Sequence, residues 1–306
     1  MRSHRAAIIK LGNHLSIHFV EDATVDQKFI QVFDVYTHGG MSRRQFLDKL
    51  RVMAGASAVA PLLAQLENNY AYADTVAAND PRLVTREIQI LPDINGLLAM
   101  PKDAKGPLGG VMVIHENRGL NPHINDIVRR VALEGFVVFG TDYLSMQGGT
   151  PADEDKARDM IGTLKREDIN ATSLEVRDAL SSYKGVNGKV GAMGFCWGGG
   201  FVNALAVADP KLNVGVAYYG MQPPAADVTK IQAPLMLHYA GLDDRTNAGI
   251  PAFEAALKAA NKTYEIFVYD GANHAFNNDT NPARYDKAAA DFAWDRSMGF
   301  LKKYLS

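Results

Sequence analysis

Cysteine is almost missing from this chain of 306 residues, since it occurs only at position 196. A single cysteine excludes an internal disulfide and leaves one free thiol. If the protein is exported, a free thiol is itself an indication of function, because exported proteins commonly pair their cysteines. Cys196 is therefore the first candidate for a reactive group.

An excess of charge and long apolar runs are missing as well. The formal net charge is -2 and the pI is about 6.4, which gives no reason to expect nucleic acid as a partner. No apolar stretch reaches the roughly 20 residues that a membrane-spanning helix needs, so we expect no stable membrane anchor. The chain also lacks internal repeats and low-complexity tracts. With 47% hydrophobic residues it has material for one large core.

The first 73 residues divide at Met41. Residues 1–40 show no domain pattern and form an extension of uncertain role, with Met41 as the expected true start. Residues 41–73 are similar to a twin-arginine export signal, with Ser-Arg-Arg-Gln-Phe-Leu at 42–47, a short apolar stretch at 52–63 and Ala-Tyr-Ala at 71–73. This pattern predicts export to the periplasm and a mature N-terminus at Asp74. The alternatives are a surface helix that happens to carry two arginines, and a cytoplasmic enzyme with an N-terminal appendage.

From about residue 83 onward, strand-like and helix-like segments alternate. A hairpin is predicted at 84–91 and 96–100, and later strands at 110–114, 136–139, 214–219, 235–239 and 264–269. Helical spacing is found at 121–134, within 151–183, after residue 197, at 251–260 and from about 282 to 304. This alternation predicts an α/β fold with a doubly wound, mostly parallel sheet and helices on both faces.

Small residues surround the single cysteine. The sequence Gly-Phe-Cys-Trp-Gly-Gly-Gly at 194–200 follows an apolar strand and precedes an Ala-rich helix. This is the pattern of a nucleophile elbow, with cysteine in the place of serine. We expect an added Cβ at Gly194 or Gly198 to collide with a neighbouring strand or helix. The alternative is that Cys196 is a small buried apolar residue.

A cysteine nucleophile needs a base, and the base needs a third group that orients it. On this type of sheet the partners follow strand ends in the order nucleophile, acid, histidine. Asp243 and Asp244 follow the predicted strand at 235–239, and His274 follows the last predicted strand. Acidic pairs in glycine-containing loops also form turns, so both aspartates are candidates, and His274 alone would fit an ordinary loop histidine.

Four motifs in this order resemble the dienelactone hydrolase family of α/β-hydrolases: His-Glu-Asn-Arg-Gly at 115–119, the elbow at 194–199, the segment at 238–243, and Asn-His-Ala-Phe at 273–276. The resemblance covers roughly residues 83–306. It implies an α/β-hydrolase fold and a triad of Cys196 as nucleophile, His274 as base and Asp243 as orienting acid. Asp243 is preferred by resemblance because it stands five residues after His238.

The resemblance also assigns residues around the nucleophile. Glu116 occupies the position of a glutamate that holds the resting thiol and swings away when substrate arrives; its alternative is a loop ion pair with Arg118. The backbone N–H groups of Asn117 and Trp197 are expected to form the oxyanion hole. No second histidine follows His115 at helical spacing, so this dipeptide does not predict a zinc site, and we expect neither a metal nor a cofactor.

The sequence departs from the family pattern where substrate is selected. Two arginines that hold a substrate carboxylate in well-known members correspond here to Met146 and Asn278, which makes dienelactone itself a doubtful substrate. Arg118 is a possible replacement. A pocket with apolar walls is suggested by Tyr143, Trp197, Met146 and Phe276, although such aromatic residues are as often part of a core.

The predicted function is therefore hydrolysis of a small ester or lactone through a thioacyl intermediate at Cys196. A non-catalytic binding protein of the same fold is the alternative from another class, and a complete set of three catalytic residues argues against it. A thioesterase, a peptidase or a carbon–halogen hydrolase is the alternative among enzymes. The sequence predicts neither the natural substrate nor the oligomeric state.

Overall fold

The structure is a computed structural model that describes residues 25–306 together with the backbone of residues 7–11 and 14–18. Ten strands are described: β1 Ala7–Leu11, β2 His14–His18, β3 Leu83–Leu91, β4 Ile94–Pro101, β5 Leu108–Ile114, β6 Val137–Thr141, β7 Val186–Phe195, β8 Val214–Tyr218, β9 Leu235–Ala240 and β10 Tyr264–Asp270. The α-helices are α1 Gln27–Thr37, α2 Arg43–Ala54, α3 Val59–Leu66, α4 Pro122–Leu133, α5 Glu154–Gly162, α6 Arg166–Ser181, α7 Trp197–Ala208, α8 Asp244–Asn247, α9 Ile250–Ala259 and α10 Lys287–Leu305.

The described strands form one sheet in the order β1-β2-β10-β9-β8-β7-β5-β6-β4-β3. The strands from β2 to β6 in this order pair in parallel, and β1, β4 and β3 are antiparallel at the two edges. The central strands β6, β8 and β9 are buried along their whole length, as expected for parallel strands covered on both sides. The β5–β7 and β7–β8 pairings place the end of β7, and with it Cys196, near the centre of the sheet.

Helices cover both faces of the sheet, and each face has its own apolar core. On one face α4 and α10 contribute buried residues such as Ile127, Val131 and Leu301. On the other face α6, α7 and α9 contribute residues such as Leu180 and Leu205. The prediction of a doubly wound sheet from the alternation of elements is thus confirmed.

One predicted boundary is wrong. The last helix begins at Lys287 rather than near residue 282, because Asp286 caps it by accepting a hydrogen bond from the N–H of Ala289 at 2.9 Å. The residues before it form turns, with the N–H groups of Arg284 and Tyr285 both donating to the Asn281 carbonyl.

The segment at 25–72 is helical and packs against the catalytic part of the chain. Helices α1, α2 and α3 share an apolar core of Val25, Phe29, Ile30, Phe33, Tyr36, Phe46, Leu50 and Leu66. Arg43, one of the two arginines of the export-like motif, pairs with Glu67 at 3.0 Å and with Asp155 of α5 at 3.5 Å. Arg44 is 92% exposed. In the described part of the chain, no helix is long and apolar enough to cross a membrane.

Candidate active site

Cys196 stands at a sharp corner between β7 and α7. Its φ of 54° lies in a region that non-glycine residues rarely adopt, as expected for a strained nucleophile turn. The turn needs glycine on both sides: a Cβ at Gly194 would lie 2.3 Å from the Gly198 carbonyl oxygen, and a Cβ at Gly198 would lie 2.3 Å from the Ile114 carbonyl oxygen. The predicted collisions with helix and strand are confirmed.

His274 and Asp243 meet at the ends of β10 and β9. Nδ1 of His274 lies 2.5 Å from Oδ2 of Asp243, and both side chains are buried. Asp243 also caps α8, because its Oδ1 accepts a hydrogen bond from the N–H of Thr246 at 3.1 Å. Asp244 is exposed as the first residue of that helix. The geometry therefore selects Asp243 over Asp244 as the partner of His274.

The sulfur of Cys196 faces two imidazoles. Sγ and one ring nitrogen from each of His274 and His38 all lie within 4.8 Å of one another. Within this group, Sγ lies 3.6 Å from Nε2 of His38. The rings of His38 and His274 pack edge to face with centroids 4.7 Å apart.

Charge and burial decide the protonation of this group. Burial raises the pKa of the Cys196 thiol, but the positive charge of His274 beside the sulfur outweighs burial and lowers this pKa to about 6. Burial lowers the pKa of His274, whereas the nearby thiolate and Asp243 raise it to about 10. Burial likewise opposes ionisation of Asp243, and the hydrogen bond to His274 holds its pKa at about 2. A thiolate beside an imidazolium is the favoured state at neutral pH.

Glu116 lies in the same cavity wall but has other partners. Its Oε2 accepts a hydrogen bond from Nδ2 of Asn278 at 3.0 Å, and its Oε1 accepts one from the hydroxyl of Tyr219 at 3.4 Å. The described hydrogen bond of the sulfur is with His38 instead. Asn278, at the position where the family resemblance implies an arginine, thus binds the carboxylate of the predicted gating residue.

The backbone around the sulfur suits an oxyanion hole. Trp197 is the first residue of α7, so its N–H has no acceptor within the helix, and the helix N-terminus adds partial positive charge beside Cys196. Asn117 follows β5, and its side-chain Nδ2 donates to the Thr37 carbonyl at 2.7 Å. Both residues line the groove that reaches Cys196.

Two spaces adjoin the sulfur. An open groove of about 710 Å³ has apolar walls with arginines at its rim, and it is lined in part by Ile161, Leu164, Arg166, Trp197, Phe201, Met221 and Arg245. On the other side lies a cavity of about 20 Å³ bounded by Glu116, His274, Arg284 and residues of the N-terminal segment. A space of that size has room for about one water molecule.

Comparison with known proteins adds to this geometry. The sequence model of the dienelactone hydrolase family matches residues 94–305 of this chain. A protein of Escherichia coli O157:H7 named "Putative carboxymethylenebutenolidase" is 34% identical over 221 residues, which cover 67% of this chain and 81% of that protein. The chain belongs to the dienelactone hydrolase family. It is accordingly a hydrolase of the dienelactone hydrolase type.

Solved structures agree with this family assignment. The crystal structure described as a "Putative Dienelactone Hydrolase" from Klebsiella pneumoniae is similar with a TM-score of 0.66 and 28% identity, covering 72% of this chain and 99% of that one. A further relative from Methylorubrum extorquens, also named "Putative carboxymethylenebutenolidase", is 28% identical and covers 86% of this chain and 94% of its own. The matched 86% of this chain contains more residues than 74–306, so the similarity includes part of the N-terminal segment.

Several residues of this chain that the sequence predicts to line the substrate pocket lie elsewhere in the structure. Tyr143 is buried, with its hydroxyl 2.7 Å from Oγ of Ser173, and Phe276 is fully buried in the core. Met146 is 73% exposed and is not among the residues lining the groove. Arg118 reaches the small cavity, where it contacts Glu154 through a 3.8 Å ion pair rather than Glu116.

Two residues at the sulfur were missed by the sequence analysis. His38 lies in Thr-His-Gly-Gly at 37–40, a segment that was assigned to the extension without a role. Arg245 follows the aspartate pair, and its Nη2 lies 2.9 Å from Nε2 of His38. The available signal was a histidine beside two glycines in a turn that follows an amphipathic helix. His274 likewise lies in a loop of small residues, although it follows a strand.

Proposed function

We propose that this protein hydrolyses a small ester or lactone with Cys196 as nucleophile, His274 as base and Asp243 as the acid that orients it. One observation carries this proposal: Nδ1 of His274 is bonded to Asp243, and the same ring lies beside the sulfur at the elbow of a dienelactone hydrolase fold. This is the arrangement that a nucleophile, a base and its orienting group require.

The geometry supports a two-step reaction. In the resting ion pair His274 already holds the thiol proton, and the thiolate attacks the carbonyl carbon while the N–H groups of Asn117 and Trp197 bind the oxyanion. When the carbon–oxygen bond breaks, the leaving oxygen takes the proton from His274, and a thioester remains on Cys196. A water molecule then loses a proton to His274 and attacks the thioester. The carbon–sulfur bond breaks, the acid is released and the thiolate returns.

The groove supports a substrate with both apolar and anionic parts. Trp197, Phe201 and Met221 offer an apolar wall beside the sulfur. Arg166 and Arg245 line the same groove, where Arg166 lies over the ring of Phe201 and Arg245 contacts His38. The names of the relatives indicate a lactone that carries a carboxylate, and these arginines offer it cations that positions 146 and 278 lack.

Activity against a panel of p-nitrophenyl esters and lactones tests the proposal. We expect turnover by the wild-type protein, irreversible loss after alkylation with iodoacetamide, and no turnover by Cys196→Ala. Lys184→Ala, an exposed change away from the groove, is the matched control and should keep full activity. Undiminished hydrolysis by Cys196→Ala would contradict the proposal, and a protein that only binds these compounds would support the non-catalytic alternative.

Export stays a prediction. Cleavage after Ala73 would leave Asp243, His274 and Cys196 in the mature protein but would remove His38. Mass spectrometry of the protein from periplasmic and cytoplasmic fractions of a cell with a twin-arginine pathway decides. A periplasmic protein beginning at Asp74 is the expected result, and an intact N-terminal segment in the cytoplasm would contradict it.

A further inference from the structure

We propose that Cys196, His274 and His38 form a binding site for a zinc-type divalent cation, and that the N-terminal segment completes this site by supplying His38. The proposed hydrolysis uses no metal, so this is a second property of the same sulfur. Only the expected inhibition of turnover rests on the proposed function; the binding itself does not.

The donor atoms are those that zinc prefers. Zinc binds thiolate sulfur at about 2.3 Å and imidazole nitrogen at about 2.0–2.1 Å, usually with four ligands in a tetrahedron. Here one sulfur and two imidazole nitrogens already lie within 4.8 Å of one another, with 3.6 Å between Sγ and Nε2 of His38. Side-chain shifts on the order of 1 Å bring them to a common cation. The adjoining groove leaves a fourth position for water.

Both imidazoles are held by their other nitrogen, as metal-bound histidines usually are. Nδ1 of His274 is bonded to the carboxylate of Asp243. Nδ1 of His38 lies 2.8 Å from the carbonyl oxygen of Asp34 and 3.4 Å from Oδ1 of the same residue. A neutral ring that keeps its proton on Nδ1 has its lone pair on Nε2, so His274 offers this lone pair to a cation once its second proton has left.

The two Nε2 atoms are available to a cation. Nε2 of His274 is buried and, in the part of the chain that the structure describes, has no hydrogen-bond partner. Nε2 of His38 lies 2.9 Å from the guanidinium of Arg245, which can only donate, so this nitrogen carries a lone pair. Arg245 is exposed and free to turn into the groove when a cation enters. The thiolate, Asp34, Asp243 and Glu116 supply negative charge around the site.

His38 is held in place from both sides of the active site. The Thr37 carbonyl accepts a hydrogen bond from Asn117, next to Glu116. At the start of α1, Nε2 of Gln27 donates to Oδ1 of Asn273, next to His274, at 2.6 Å. The segment is therefore built onto the two loops that carry the reactive groups. Removing it would leave only Cys196 and His274, which is one ligand fewer than zinc sites with an open position use.

Binding exchanges a proton for the metal. In the resting ion pair the proton lost by the sulfur sits on His274, so an N–H bond of that ring breaks, metal–sulfur and metal–nitrogen bonds form, and the proton is released to solvent, without oxidation or reduction. Since the cation occupies both the sulfur and Nε2 of His274, neither is available for acyl transfer. In the uncleaved chain the site consequently couples metal availability to hydrolysis through the N-terminal segment, and cleavage after Ala73 would remove His38 and end this coupling.

Cobalt(II) titration of the metal-free chain 1–306 tests the site, because cobalt bound to thiolate gives charge-transfer absorption in the near ultraviolet. We expect this band to saturate at one equivalent, to disappear on adding Zn²⁺, and to be missing in Cys196→Ser. His38→Ala and the bulkier His38→Gln should weaken Co²⁺ binding at least 10-fold. Losing even a hydrogen-bond partner of a metal ligand typically lowers metal affinity 10-fold to 100-fold. Gln31→Ala, an exposed change on the same helix, should bind like the wild type.

Other results would overturn the proposal. Unchanged Co²⁺ affinity in both His38 variants, with circular dichroism showing a native fold, would mean that the N-terminal segment supplies no ligand. Absence of the charge-transfer band in the wild type would mean that the sulfur binds no such cation. These readouts do not need turnover, so a protein that binds cobalt but hydrolyses no ester would refute the proposed function alone.

Discussion

Nε2 of His38 lies 3.6 Å from Sγ of Cys196, although 158 positions separate the two residues in the chain. The contact joins the extension at 1–40, which precedes the export-like segment, to the candidate nucleophile of a dienelactone hydrolase fold. The N-terminal helices therefore bear on the active site directly, and their loss or retention has chemical consequences at the sulfur.

The ionisation of Cys196 predicts a pH dependence. Because its pKa is lowered to about 6, the reactive thiolate is present above that pH and is lost as the pH falls through it. We expect the rate of alkylation by iodoacetamide, followed by mass spectrometry, to rise with a midpoint near pH 6. A rise centred near the ordinary thiol pKa of about 8.5 would contradict the ion pair.

The adjacent aspartates provide a matched pair of variants. Asp243→Asn removes the charge that orients His274, so kcat should fall, by as much as the roughly 10⁴-fold known for such a change in a catalytic triad. Asp244→Asn should retain nearly all activity, because its side chain is exposed on α8. Steady-state kinetics with one activated ester measures both. Equal losses in the two variants would contradict the assignment of Asp243.

The elbow glycine Gly198 predicts an effect on stability. An alanine Cβ there would lie 2.3 Å from the Ile114 carbonyl oxygen, and relieving this clash requires backbone movement. We expect Gly198→Ala to lower the free energy of unfolding by about 1–3 kcal/mol. Gly162→Ala, where nothing lies within 4 Å, should be neutral or stabilising by up to about 1 kcal/mol. Urea unfolding compares them, and equal stability would argue against the tight corner.

Arg245 predicts a preference for anionic substrates. Its guanidinium lies at the groove beside the sulfur, where it can pair with a substrate carboxylate. Arg245→Ala should raise KM for esters with a carboxylate on the acyl part and leave KM for neutral esters of the same size nearly unchanged. The fully exposed Arg44→Ala is the control. A uniform change for charged and neutral esters would mean that Arg245 does not select charge.

The catalytic part of the chain could be predicted because its signals are local. Alternating strands and helices predict the doubly wound sheet, and glycines on both sides of Cys196 predict the tight corner without knowledge of the rest of the fold. The order of Cys196, Asp243 and His274 follows from strand ends that share one edge of a parallel sheet. Each of these features depends on neighbours in the sequence or on a general rule of topology.

The remaining features depend on packing between distant segments. Tyr143 and Phe276 stand close to motifs in the sequence, but this closeness does not determine which way their side chains point. Both side chains point into the core. The partner of Glu116 depends on Asn278, far along the chain. His38 was missed because residues 1–40 show no domain pattern, and only the packing of helix α1 on the catalytic loops brings this histidine to the sulfur.

The covalent intermediate is the most direct test of the central proposal. Wild-type protein is mixed with an activated ester, quenched in acid within the first turnovers, digested and examined by mass spectrometry. We expect the acyl mass on the peptide that contains Cys196, more persistently in His274→Gln, where water is not activated. Continued turnover with acylation of another residue, or with no adduct on Cys196 in either protein, would contradict the thioacyl mechanism.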